Sequence, residues 1–129
     1  MEPSDLRYTK DHEWVRLDGG HAVVGITDYA QNQLGDVVYV ELPAVGRTVG
    51  KGEAFGVVES VKSVADLYAP VAGKVVAVND ALGSSPEEVN HSPYGEGWMI
   101  RLEPSDPSEA ERLMDSDAYA AHVRAEGGA

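Results

Sequence analysis

Residues 52–79 read GEAFGVVESVKSVADLYAPVAGKVVAVN. Short apolar runs, FGVV, VADLY and GKVVAV, are set apart by a polar bend at Ser60–Ser63 and by a second break around Pro70. Runs this brief, rich in valine and bounded by Ser, Pro and Gly, read as β-strands. The first bend carries one lysine, Lys62, between Val61 and Ser63. Two explanations fit a lysine there. It keeps an exposed bend hydrated, or its amine, held clear of the body on a rigid hairpin, is an attachment point that a modifying enzyme can reach. These residues alone leave both open.

Outward from this segment the strand pattern continues. EWVRLDGGHAVVGI (13–26) has two apolar stretches around Asp18-Gly19-Gly20, a hairpin signal. In TDYAQNQLG (27–35), Thr27 or Asp28 can cap, Gln31 follows Asp28 by three and Gly35 can terminate, which predicts one or two helical turns. VVYVEL after Asp36 predicts a further strand, closed by Pro43 and a turn near Gly46. The pattern GxVVxV at Gly35 recurs at Gly73, with Lys62 between the copies, which suggests two similar halves. Further on, SSPEEVN predicts a short helix start with Ser85 as cap and Pro86 at its first position. HSPYGEGWMIRLEP leads from a loop into a strand carrying Trp98, Met99 and Ile100. DPSEAERLM repeats the capping logic at Asp106, and SDAYAAHVR predicts a last helix, with Leu113, Met114, Tyr119 and Val123 on the sheet. Many short strands at close spacing imply an all-β sandwich or barrel.

The chain has 129 residues, one domain's worth. Its formal charge of −12 disfavours nucleic acid and anionic membrane surfaces as partners and suits basic patches on other proteins. No apolar run approaches a membrane span, and MEPSDLRYTKDHEW lacks the apolar core of a secretory signal. For a bacterial chain the cytoplasm is the expected compartment, and a mature mitochondrial form would look the same in sequence. With no cysteine, any sulfur chemistry must come from a cofactor.

His12, His21, His91 and His122 fall in separate segments without ligand spacing, so no metal site is expected. No phosphate-binding glycine loop, nucleophile elbow or distinct carboxylate pair stands out. The chain reads as poorly equipped to be an enzyme by itself.

ESVKSVADLYAPVAGKVVAVN (59–79) closely resembles the lipoyl-attachment segment of glycine cleavage system H proteins. YTKDHEWV, VGITDYAQNQLGDVVYVELPAVG and VNHSPYGEGWMIRL resemble the family's other blocks in the same order, so the resemblance covers roughly residues 7–124. It implies a mainly β, lipoyl-domain-like barrel-sandwich hybrid with short helices and a C-terminal helix. The expected division is an N-terminal extension 1–6, the carrier domain 7–125 and a flexible tail 126–129.

By the same resemblance Lys62 carries a covalent lipoyl group, and the chain is a non-catalytic carrier. Its partners would be glycine decarboxylase (P protein), an aminomethyltransferase (T protein) and dihydrolipoyl dehydrogenase (L protein), together with a lipoate ligase or a lipoyl/octanoyl transferase. The carrier would shuttle the aminomethyl group and reducing equivalents among the three enzymes. Family members fold the loaded arm into a surface cleft, which excludes water. Motif position puts Glu13 and Asp66 there as carboxylates for the cargo's ammonium, and Asp11 where the family often has a small polar residue. Glu59, Val61 and Ser63 flank the lysine and are candidates for recognition by the modifying enzyme. Biotin carriers usually set their lysine between methionines, and lipoyl domains of 2-oxo acid dehydrogenases lack the EWV, ITDYAQ and PYGEGW blocks. The second reading is a lipoyl relay or donor for other complexes.

Overall fold

In the computed structural model, residues 5–126 are described. Residues 1–4 of the expected extension and 127–129 of the expected tail lie outside them. Leu6, assigned by sequence to the extension, is 2% exposed and packs with Tyr8, Trp14, Val23 and Tyr119.

Two sheets make the fold. The larger is formed by β1 (Arg7–Tyr8), β2 (Glu13–Asp18), β3 (His21–Ile26), β5 (Thr48–Val49), β8 (Gly73–Val78) and β9 (Ile100–Pro104), in the order β1-β2-β3-β9-β8-β5. The smaller has β6 (Ala54–Ser60) between β4 (Val37–Glu41) and β7 (Val64–Tyr68). The main core fills the space between the sheets, with Val24, Phe55, Val58, Leu67, Val75 and Leu102 at its centre. This is the mainly β, lipoyl-domain-like barrel-sandwich arrangement. The two GxVVxV copies fall one in each sheet, on β4 and β8.

Asp18 faces His21 across a two-residue loop in which Gly19 and Gly20 have φ of 59° and 87°. Positive φ at both central positions gives the turn whose twist matches the strands it joins, and glycine takes it without a Cβ clash. Helix α1 (Asp28–Leu34) starts on Thr27, whose hydroxyl accepts from the Ala30 amide, and ends on Gly35 at φ 79°. Helix α2 (Glu88–His91) begins later than the serine-proline signal suggests: Glu87 holds the cap position and no side chain caps it. The Asp106 segment winds as a 3₁₀ helix over Pro107–Arg112, with Asp106 accepting from Ser108. Trp98 and Met99 precede β9, which starts at Ile100. Helix α3 (Ser116–Ala125), capped by Asp115, covers the outer face of β1–β3 and stacks Tyr119 on Tyr8 at 4.6 Å. None of these helices is long and apolar enough to cross a membrane.

Both faces of β2 are covered. Trp14 points to the smaller cluster and donates from Nε1 to the Pro93 carbonyl at 3.0 Å, while Val15 points to the main core. The Trp14 indole lies against Gly25, its cross-strand neighbour, so that a Cβ there would sit 2.7 Å from Cζ2. Gly25→Ala is therefore expected to destabilise the fold by about 1–3 kcal/mol, the usual cost of overpacking. Urea unfolding checks this; an unchanged midpoint would refute the contact.

Candidate functional site

The hairpin β6–β7 ends at Glu59 paired with Val64, and Ser60–Ser63 form its tip. Ser60 is the pin of this turn, buried although polar. Its amide donates to the Ser63 carbonyl at 2.8 Å, and its Oγ accepts from the amides of Lys62 and Ser63 at 3.3 and 3.1 Å. A second anchor comes from outside the hairpin, where the Val61 amide donates to the Asp36 carbonyl at 3.0 Å. The backbone under Lys62 is thus fixed on both sides. The side chain is exposed and enters no ion pair among the described residues. Its stem passes over Gly35, where an added Cβ would lie 3.4 Å from the lysine Cε.

Gly35 is itself braced. Asn90 donates from Nδ2 to the Gly35 carbonyl and to Gln31 Oε1, and its Oδ1 accepts from the Val37 amide. One amide so ties the end of α1 to the start of β4 beneath the lysine. Sequence reasoning overlooked Ser60, Gly35 and Asn90 as site residues. Only Ser60 left a signal, a hydroxyl at the first position of a bend, where it can bond amides two and three residues on. Ser60→Ala removes both of those bonds. It is expected to cost about 1–2 kcal/mol and to slow modification of Lys62, readable as the rate of mass increase with a modifying enzyme. Unchanged rate and stability would show that the pin is dispensable.

Beside the hairpin a cleft of ≈ 210 Å³ runs between α1 and the edge of β7. Ala30 and Leu34 form one wall, Ala65 and Leu67 the other, and Ile26 and Val58 also line it. Asp11, Glu13 and Asp66 line the same cleft. The three carboxylates named from sequence are therefore brought together, although β2 and β7 belong to different sheets. Asp11 and Asp66 are exposed, whereas Glu13 is 3% exposed. Thr9 donates from Oγ1 to Glu13 Oε1 at 2.6 Å, and the Tyr68 amide on β7 donates to Oε2 at 3.3 Å. Burial nonetheless raises the Glu13 carboxyl from its ordinary 4.5 to about 7; those two hydrogen bonds pull it down and the nearby Asp11 charge pushes it further up. Near neutral pH Glu13 is poised between its two protonation states.

Of the lysine's neighbours, Val61 is 69% exposed, Ser63 and Val64 are exposed, and Glu59 stands between Tyr39 and Val64 on the outer face of the smaller sheet. An apolar and acidic surface therefore surrounds the lysine. Lys51 is also exposed in a turn, but that turn joins β5 to β6, strands of different sheets, and does not cap a hairpin.

On the far side of Glu13 lies a second cleft, of ≈ 450 Å³, shared with Tyr68 and Met114. The histidines gather in an unforeseen way: His12 and His122 converge on Glu126, which the sequence reading placed in the tail.

Residues 6–126 match the family model described as glycine cleavage H-protein. The glycine cleavage system H protein of Anaeromyxobacter sp. (strain K) is 64% identical over 121 residues, 94% of this chain and 94% of that protein. That of Thermus thermophilus is 60% identical over 117 residues, 91% of each. Among solved structures, the H protein from Mycobacterium marinum superposes with a TM-score of 0.85 at 39% identity, covering 98% of this chain and 99% of that one. A hairpin that presents one lysine beside an acid-lined cleft, in a chain this similar over its whole described length, places the protein in the glycine cleavage H-protein family.

Proposed function

We propose that the protein is the lipoyl-lysine carrier of a glycine cleavage system, with lipoate joined through an amide to Lys62 Nζ. The observation that carries this reading is the pinned hairpin tip, which holds a lysine that enters no ion pair among the described residues, on a hairpin beside an apolar cleft lined by three carboxylates. The residues present suit the group. An exposed amine on fixed backbone is open to a modifying enzyme, and Glu59, Val61 and Ser63 are the surface such an enzyme meets first. Acylation removes the lysine charge, so the arm would be neutral and largely apolar, and Leu34 and Ala65 on the cleft walls are the residues that would hold it. When bound, lipoate supplies a disulfide–dithiol couple that accepts an aminomethyl group and an electron pair derived from glycine.

The chain's own residues handle the cargo's positive charge. Entry into the cleft strips water from an ammonium, which is costly unless hydrogen-bond acceptors replace it. Glu13 is the buried acceptor. A cation beside its carboxyl reverses the effect of burial, so Glu13 loses its proton as the cargo arrives and gains a charge-assisted hydrogen bond. Thr9 and the Tyr68 amide fix both carboxylate oxygens for that contact. Asp66 and Asp11, exposed on the same lining, draw the cation toward the cleft.

A pyridoxal-phosphate glycine decarboxylase, a folate-dependent aminomethyltransferase and a dihydrolipoyl dehydrogenase are the partners that this chemistry needs, with a lipoate ligase or lipoyl/octanoyl transferase to load the arm. Reconstitution tests the reading. The lipoylated protein should support exchange of labelled bicarbonate into glycine with purified glycine decarboxylase. Lipoylation without exchange would leave the relay role instead.

A further inference from the structure

We propose that His12, His122 and Glu126 form a binding site for a divalent transition-metal ion of the zinc class. Glu126 closes helix α3 and points one carboxylate oxygen at each imidazole: Oε1 is 3.0 Å from His12 Nε2, and Oε2 is 2.8 Å from His122 Nε2. All three ligand atoms lie within 4.8 Å of one another. Donors that share one tetrahedral ion stand about 3.3 Å apart, so the side chains already approach the spacing an ion requires. Two imidazoles and one carboxylate are a donor set for Zn²⁺, Co²⁺, Ni²⁺ or Cu²⁺ in preference to Mg²⁺ or Ca²⁺, and three protein ligands leave a fourth position for water.

The surroundings of His12 add a second, independent observation. A metal-binding imidazole is held by a hydrogen bond on its other nitrogen, which fixes ring and tautomer. His12 Nδ1 lies 2.8 Å from the Tyr119 hydroxyl, which in turn lies 2.7 Å from Thr27 Oγ1. With Nδ1–H donating to the Tyr119 hydroxyl, and that hydroxyl donating to Thr27, Nε2 is the atom left to bind an ion, which would displace the proton shared with Glu126 Oε1. The backbone agrees: among the described residues His12 is the non-glycine residue with positive φ, at 72°. Its carbonyl accepts from the Thr27 amide and its amide donates to Thr9, so the turn holds the ring in place despite the unfavourable conformation. His122 Nε2 also lies 3.0 Å from the Lys10 carbonyl, a contact that an ion on that nitrogen would displace. The chain's net charge of −12 favours any cation that approaches.

Sequence spacing excludes this site on its face, because Glu126 stands 114 positions from His12. The fold removes that distance by docking α3 across β1–β3.

The test uses the full chain made without a histidine tag, titrated calorimetrically with Zn²⁺ and spectroscopically with Co²⁺. The expected result is one ion per chain, with Co²⁺ absorption of tetrahedral intensity. His122→Ala and Glu126→Gln, both at the surface, should each weaken Zn²⁺ binding at least about tenfold, and Tyr119→Phe by about 10–100-fold through His12 orientation. His91→Gln, remote from the cluster, should leave it unchanged. Absence of stoichiometric binding to the wild-type chain would overturn the proposal. So would affinities that stay within threefold of wild type in His122→Ala and Glu126→Gln.

Discussion

Lys62→Arg should leave the fold intact and take carrier activity to background. Arginine keeps the length and charge of the side chain, but a guanidinium does not deprotonate in proteins and offers no amine to acylate. Lys62 is exposed, and the hydrogen bonds at the tip run through the backbone and Ser60, so stability should stay within about 0.5 kcal/mol of wild type. Intact-mass measurement after incubation with lipoate, ATP and a lipoate ligase should show one lipoyl increment on wild type and none on the variant. The other lysines provide an internal control: Lys10, Lys51 and Lys74 remain in the variant. Lys51 matters most among them, being exposed in a turn as Lys62 is. Were hydration of a bend the only purpose of such lysines, the two would be equivalent. Lys62 differs by standing on a paired hairpin with a pinned backbone, which makes its approach geometry reproducible to a modifying enzyme. A lipoyl increment retained in Lys62→Arg would move the attachment elsewhere and undo the proposed function.

How much of this was legible beforehand follows from the range of the forces involved. Asp18-Gly19-Gly20 announced its hairpin because a two-residue loop needs positive φ, a local requirement written in local residues. Thr27 and Asp106 cap their helices through bonds that span two or three positions. The two-residue strands β1 and β5 left no periodicity to read, since their pairing with β2 and β8 is imposed by packing. The cleft carboxylates were named by resemblance alone. Nothing local distinguishes Glu13 from the other acids; its burial comes from Thr9 and from Tyr68 across the fold. The histidine cluster lay beyond sequence reading altogether, and the Ser85 cap failed because the helix starts downstream of it.

Glu13→Gln is the variant that should most change the protein's response to pH. A carboxyl raised from 4.5 to about 7 binds more protons in the folded than in the unfolded chain between those values. Stability therefore falls as pH rises through that window, and the loss is complete above about pH 7. Each pKa unit corresponds to about 1.4 kcal/mol, so an ionised Glu13 without a counter-charge costs the fold on the order of 3 kcal/mol. Glutamine keeps the size and an acceptor for the Tyr68 amide but has no charge to desolvate. The difference in unfolding free energy, variant minus wild type, should thus grow by about that amount from pH 4.5 to pH 8, read from urea titrations at both. Parallel stability curves would show that Glu13 titrates normally and that its burial carries no electrostatic strain. On the proposed function the sign would reverse in the loaded carrier. The ammonium of the cargo would supply the counter-charge that an ionised Glu13 lacks, and a charge-assisted hydrogen bond contributes about 1.5–3 kcal/mol. The variant should therefore lose cargo to water roughly tenfold faster or more, while its free form is the more stable at pH 8. On that reading, a buried acid that destabilises the empty protein and stabilises the loaded one would couple cargo binding to the cleft through one proton.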